Sequence, residues 1–166
     1  THVFEKLKEK DILRFEGPLG GFRLHDSPKP AILLAGGTGF APIKSIVENA
    51  IATGQTRPMT LYWGSRDLAG LYQLDVARSW EARLPGFRCI PVLSDASPAD
   101  NWSGRQGLAH AALMADLPDL SGHEVYACGS PAMIDAARAD LTGRCQLPAD
   151  AFFADAFSFS TDPTPA

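Results

Sequence analysis

Long apolar runs are missing from these 166 residues, and no stretch approaches the ~20 needed to cross a bilayer. No basic and apolar leader opens the chain either, so a membrane partner is not expected. Cysteine is scarce: Cys89, Cys128 and Cys145 are scattered, odd in number and without C-x-x-C spacing. That excludes a disulfide framework, a structural zinc site and a four-thiolate iron–sulfur cluster built from this chain alone. Reduced thiols and a cytoplasmic location are expected. His2, His25, His110 and His123 are equally scattered and read as surface or internally satisfied side chains, so no metal site is expected. An excess of positive charge is lacking too. The net charge of −4 gives no general attraction to nucleic acid. What remains, 45% hydrophobic and 20% charged residues, is ordinary for a globular domain with a real core.

What is present begins with a glycine turn. Gly36-Gly37-Thr38-Gly39-Phe40-Ala41-Pro42 follows the apolar run 31–35 and precedes an amphipathic helix pattern. Strand, glycine turn and helix in that order build a phosphate cradle, because glycines let the backbone approach a pyrophosphate and free N–H groups at the helix start face its charge. The stretch departs from the G-x-G-x-x-G fingerprint, since Pro42 stands where the last glycine would be. Proline suits the first helical turn, where its missing N–H has no partner to lose. A tight connection that binds nothing is the plain alternative.

The body of the chain alternates between strand and helix. Helical spacing covers Ile43, Ile46, Val47, Ala50 and Ile51, with Gly54 as a stop. Residues 59–63 read as a buried strand, 71–84 as a helix, and 87–93 as a third strand. A polar loop over 94–105 leads to a helix at 106–115, a strand at 123–128, and a helix capped by Ser130 with Pro131 in its first turn. Residues 151–157 close as an apolar, aromatic strand. This pattern predicts an α/β fold, an open parallel sheet of about five strands with helices on both faces. Ligands of such sheets lie beyond the carboxyl ends of the strands. Three unusual turns, 36–39, 64–67 and 128–130, fall on that edge and suit a dinucleotide. The first residues differ. Residues 11–16 and 17–24 read as a hairpin, and Ser27-Pro28-Lys29-Pro30 as a linker. A lone hairpin is marginal, so it reads as the end of an all-β domain lying upstream, in keeping with a start at Thr1. The expected division is 1–27, 28–159 and a disordered tail at 160–166.

Taken together, these motifs resemble the ferredoxin–NADP reductase superfamily, in particular bacterial flavin reductases and oxygenase reductase components such as phenol hydroxylase reductase and the glucoseen reductase of deoxysugar synthesis. The resemblance runs in order along nearly the whole chain. Residues 8–13 and Gly17-Pro18-x-Gly20-x-Phe22 resemble the end of that family's FAD-binding β-barrel. Gly36-Gly37-Thr38-Gly39-x-Ala41-Pro42 resembles its nicotinamide-nucleotide turn. Trp102-Ser-Gly104-Arg105-x-Gly107, Cys128-Gly129-Ser130-Pro131-x-Met133 and Phe153-x-Asp155-x-Phe157 follow at matching distances.

The resemblance implies hydride transfer from NADH or NADPH to FAD, then single-electron delivery to an iron–sulfur or oxygenase partner. Gly36, Gly37, Thr38 and Gly39, with Pro42 opening the helix behind them, would hold pyrophosphate and nicotinamide ribose. Gly64, Ser65 and Arg66 would border the adenosine ribose, and Tyr72 the adenine. Cys128 would stand beside the nicotinamide ring, with Gly129, Ser130 and Met133 completing that wall, and Phe157 over or near the flavin ring. Cys128 and Phe157 are thus the expected catalytic pair, although taken alone each reads more often as core. Arg66 suits a 2′-phosphate, while Asp67 and Asp75 favour a bare ribose and hence NADH. Thr1 would be the last trace of a flavin-pyrophosphate motif, and the missing barrel implies that the piece alone is colourless and inactive. Two other readings stay open: a dehydrogenase with its own acid or base, and a dinucleotide-binding module without catalysis.

Overall fold

The computed structural model describes residues 5–14, 16–17 and 20–157. Strands β1 (Ala31–Gly36), β2 (Met59–Ser65), β3 (Phe87–Leu93), β4 (Arg105–Gln106), β5 (Glu124–Gly129) and β6 (Phe152–Ala156) form one sheet in the order β4-β3-β2-β1-β5-β6. Every pairing is parallel. Five strands match the expected set, and the sixth, β4, adds two residues at the edge. Helices α1 (Phe40–Ala52), α2 (Leu74–Ser79), α3 (Ala109–Asp116) and α4 (Pro131–Arg144) make the crossovers.

Period-two alternation along the strands divides the core. Leu33, Ala35, Trp63, Tyr126 and Cys128 pack on the face with Phe40, Ile43 and Val47 of α1 and with Trp80. Ile32, Leu34, Tyr62, Val125 and Ala127 pack on the other with Leu113 of α3 and Ile134 and Leu141 of α4. Both faces of the sheet are covered, as a parallel sheet requires.

Two helix boundaries differ from expectation. The 71–84 pattern yields only α2 and a 3-10 turn, Trp80–Ala82. The reason is local: Asp67 Oδ1 accepts the Gly70 N–H at 3.0 Å, and the N–H groups of Leu71 and Leu74 close successive turns instead of a helix. The 106–115 pattern starts at Ala109 because Arg105 and Gln106 pair with Val92 and Leu93. Gly107, at φ +105°, then makes the corner.

Among the described residues between 5 and 24 no strand is assigned, and part of the expected hairpin, residues 15, 18 and 19, lies outside them. Ile12 and Leu13 are 97% and 58% exposed, with no described residue covering them. Phe15, Pro18 and Leu19 lie outside the described residues, as do Thr1 and the tail from 158 onward. Phe22 and Leu24 do pack, against the core face that holds Tyr126 and Cys128.

Candidate functional site

The direction of chain progression reverses at β1: β2 lies on one side of it and β5 on the other. Register sets Ala35 opposite Cys128 and Gly36 opposite Gly64, so the three predicted turns leave the sheet at one level. A cleft of about 440 Å³ opens there. Gly36, Gly64, Ser65, Arg66, Ser130 and Met133 of the predicted set line it.

Close approach explains the glycines. After β1, Gly37–Gly39 form a 3-10 turn, and α1 begins at Phe40 with no side-chain cap. A Cβ on Gly39 would overlap the carbonyl of Cys128, so this turn lies flush on the end of β5. A Cβ on Gly36 would overlap the sulfur of Met133, and the Gly36 Cα lies 3.4 Å from where a Cβ on Gly129 would stand. Trp63 Nε1–H donates to the Gly37 carbonyl at 3.1 Å, and its ring stacks on Phe40 at 3.8 Å. Thr38 is exposed at the tip of the turn. On the other wall, the Ser130 hydroxyl accepts the Met133 N–H at 3.3 Å and caps α4, whose first residue is Pro131.

Other expected residues go elsewhere. Cys128 is wholly buried, and alternation turns its thiol to the α1 face, away from the cleft lined by Met133. Burial, with Asp155 nearby, pushes that thiol up to about 12, so it is a neutral packing group. Tyr72 is half exposed and stands outside the cleft, edge-on to Phe40 and Trp63. Pro42 lines a neighbouring cleft with Arg23, Ser45, Asn49 and Asp155. Phe157 is 37% exposed, and its N–H donates to the Gly129 carbonyl at 2.9 Å, which tethers it to the end of β5. Thr1 lies outside the described residues.

The far wall was not anticipated. Ser94, Gly107, Leu108, Ala109 and His110 line it. The glycine of the Trp102–Gly107 motif, immediately before a helical pattern, was the available signal. His110 is 6% exposed and satisfied by Asp140, Nε2 to Oδ2 3.3 Å. Among the described residues Arg66 and His110 are the ionisable groups lining the cleft, and no carboxylate lines it. Asp95 pairs with Arg66 at 3.4 Å on the exposed rim. Two helix starts, of α3 and α4, open into the cleft, and that of α1 adjoins it through the glycine turn. The cleft therefore presents partial positive charge from backbone N–H groups.

The sequence profile of the oxidoreductase NAD-binding domain matches residues 33–139, which span β1 to α4. The chain belongs to that family. Within it, the chain is 43% identical over 155 residues to CDP-6-deoxy-L-threo-D-glycero-4-hexulose-3-dehydrase reductase of Yersinia pestis, covering 93% of this chain and 46% of the relative. It is 38% identical over 165 residues to terephthalate 1,2-dioxygenase reductase component 2 of Comamonas, covering 98% and 47%. Among solved structures, cytochrome P450 reductase GcoB of Amycolatopsis superposes with a TM-score of 0.75 at 36% identity, over 85% of this chain and 42% of its own. The chain thus spans less than half the length of these relatives, and its NAD-binding domain fold is the part they share. Among the described residues no helix is long and apolar enough to cross a membrane.

Proposed function

We propose that this chain is the dinucleotide-binding part of a flavoprotein reductase, which takes hydride from NADH or NADPH for FAD and passes electrons on to an iron–sulfur or oxygenase acceptor. The observation that carries the reading is the cleft at the β1–β5 switch point. Backbone there comes close enough for glycine alone, helix starts converge, and among the described residues no carboxylate lines it. Such a lining fits a pyrophosphate. FAD would be held mainly by a domain preceding this one, in line with the shared length of the relatives. The nicotinamide supplies the hydride when bound. This chain's residues bind and orient it: the Gly36–Gly39 turn and Ser130 hold the phosphate and ribose end, and Met133 fills the wall between them. Cys128 supports this cradle from beneath as a neutral thiol, and Phe157 marks the rim that faces the flavin.

The choice between dinucleotides rests on Arg66. Asp67 is engaged by the Gly70 N–H, and Asp75 lies in the first turn of α2, outside the cleft lining. Neither carboxylate lines the cleft, whereas Arg66 does, so both dinucleotides are expected to bind. Calorimetric titration of NADH and NADPH tests this. Arg66→Ala is expected to weaken NADPH about tenfold and NADH by less than about threefold, as loss of one exposed charge contact would. Binding of neither dinucleotide to the unaltered chain would overturn the reading.

A further inference from the structure

Residues 25–29, which run into the linker read at Ser27–Pro30, are gripped by the opposite end of the sheet. Arg57, between α1 and β2, is buried, with its side chain 2% exposed. Its Nε donates to the Lys29 carbonyl, Nη1 to the His25 carbonyl at 3.1 Å, and Nη2 to Glu124 Oε2 at 2.7 Å. Glu124 opens β5 and also accepts the Tyr126 hydroxyl at 2.7 Å. The oxygen of that hydroxyl accepts the His25 N–H at 3.0 Å. His25 is thus held at both backbone groups, and its ring packs edge-on against Phe153 at 4.1 Å.

A buried ion pair is weak grounds for stability, because desolvation offsets much of the attraction, and an apolar pair would close the same space. An apolar pair cannot hold two carbonyls in a fixed relation. A planar guanidinium with a rigid fork of donors can. We propose that Arg57, Glu124 and Tyr126 form a clamp that sets the path of residues 25–29, and with it the direction from which a preceding domain meets the sheet. They are positioning residues, at the strand starts where Glu124 pairs with Ala31, the opposite end from the dinucleotide cleft. The consequence for a flavin domain rests on the proposed function, while the clamp itself does not.

Amide hydrogen exchange on the 166-residue chain tests it. Arg57→Lys keeps a positive charge beside Glu124 but loses the fork. It is expected to speed exchange of the His25 amide and its neighbours by about tenfold while Leu33, Tyr62 and Ala127 keep their protection. Wild-type exchange at His25 would overturn the clamp, as would acceleration spread evenly through the sheet. Should Arg57→Lys fail to fold, Tyr126→Phe removes only the hydroxyl that meets His25. Selective acceleration there supports the clamp, and none refutes it. NADH calorimetry on the same samples reads the other question separately: affinity is expected to be unchanged in the variants, and absence of binding in the unaltered chain would fail the dinucleotide reading while leaving the exchange result intact.

Discussion

A methyl group added at Gly39 has nowhere to go, whereas one added at Gly36 meets only the mobile end of Met133. Gly39 has ordinary helical dihedrals, φ −58° and ψ −9°, so its need for glycine is one of space alone. Gly39→Ala must push α1 off the end of β5, and is expected to cost about 1–3 kcal/mol. Gly36→Ala displaces a flexible thioether and should cost less than about 1.5 kcal/mol, yet drive Met133 into the cleft and weaken NADH about tenfold. Thermal unfolding and calorimetry on the two variants check this. Equal melting temperatures would mean that the turn does not lie against the strand as described. Cys128 shows what a motif leaves open at this scale. Its place beside Gly129 and Ser130 was legible, but the side of the sheet it faces follows from alternation with Tyr126, which puts both on the α1 face.

At the scale of elements, legibility followed the length of the pattern. α1 and α4 carry stop and start signals, Gly54 after one and Ser130-Pro131 before the other, and both formed where expected. The middle of the chain was harder. Asp67 draws the chain into turns ahead of α2, and a two-residue strand takes the first turn of the helix expected at 106–115. Neither depends on apolar spacing, so periodicity could not reveal them. The Arg57–Glu124 pair was equally hidden, because its partners are 67 residues apart and neither belongs to a motif. It also carries a pH signature. Burial alone would raise the Glu124 carboxyl, but the nearby Ser27 hydroxyl and hydrogen bonds from Arg57 and Tyr126 outweigh it and hold the group at about 2, against an ordinary 4.5. A carboxyl depressed by folding contributes stability above its unfolded value and loses it as pH falls through the folded one. The chain is therefore expected to lose stability between about pH 4.5 and 2, and Glu124→Gln to flatten that part of the curve. Denaturant midpoints measured across that range check it. An equal fall in the variant would assign the loss to other carboxylates.

For the whole molecule, the question is how much of a reductase these residues can be. Hydride transfer requires donor and acceptor atoms held about 3–3.5 Å apart in aligned geometry, which two facing walls must enforce. Here one wall is well made: glycine turns, helix starts and Met133 surround a cleft at the switch point. Among the described residues several large apolar side chains are exposed, Ile12 at 97%, Leu13 at 58% and Phe157 at 37%. Scattered apolar exposure is normal on a protein surface, but Phe157 is fixed by its backbone to the rim beside Gly129, at the end of the sheet where the cleft opens. The 166-residue chain is therefore expected to bind NADH, to purify without flavin absorbance, and to leave NADH unoxidised when free FAD and an artificial acceptor are added. Free flavin can collide with the cleft, but one wall alone does not hold it in the alignment the transfer needs, so the rate should stay near that of FAD and NADH mixed without protein. Absorbance of the purified chain and the rate of NADH loss give the answer together. Stoichiometric flavin, or turnover well above the protein-free mixture, would show that the second wall is already present in these residues.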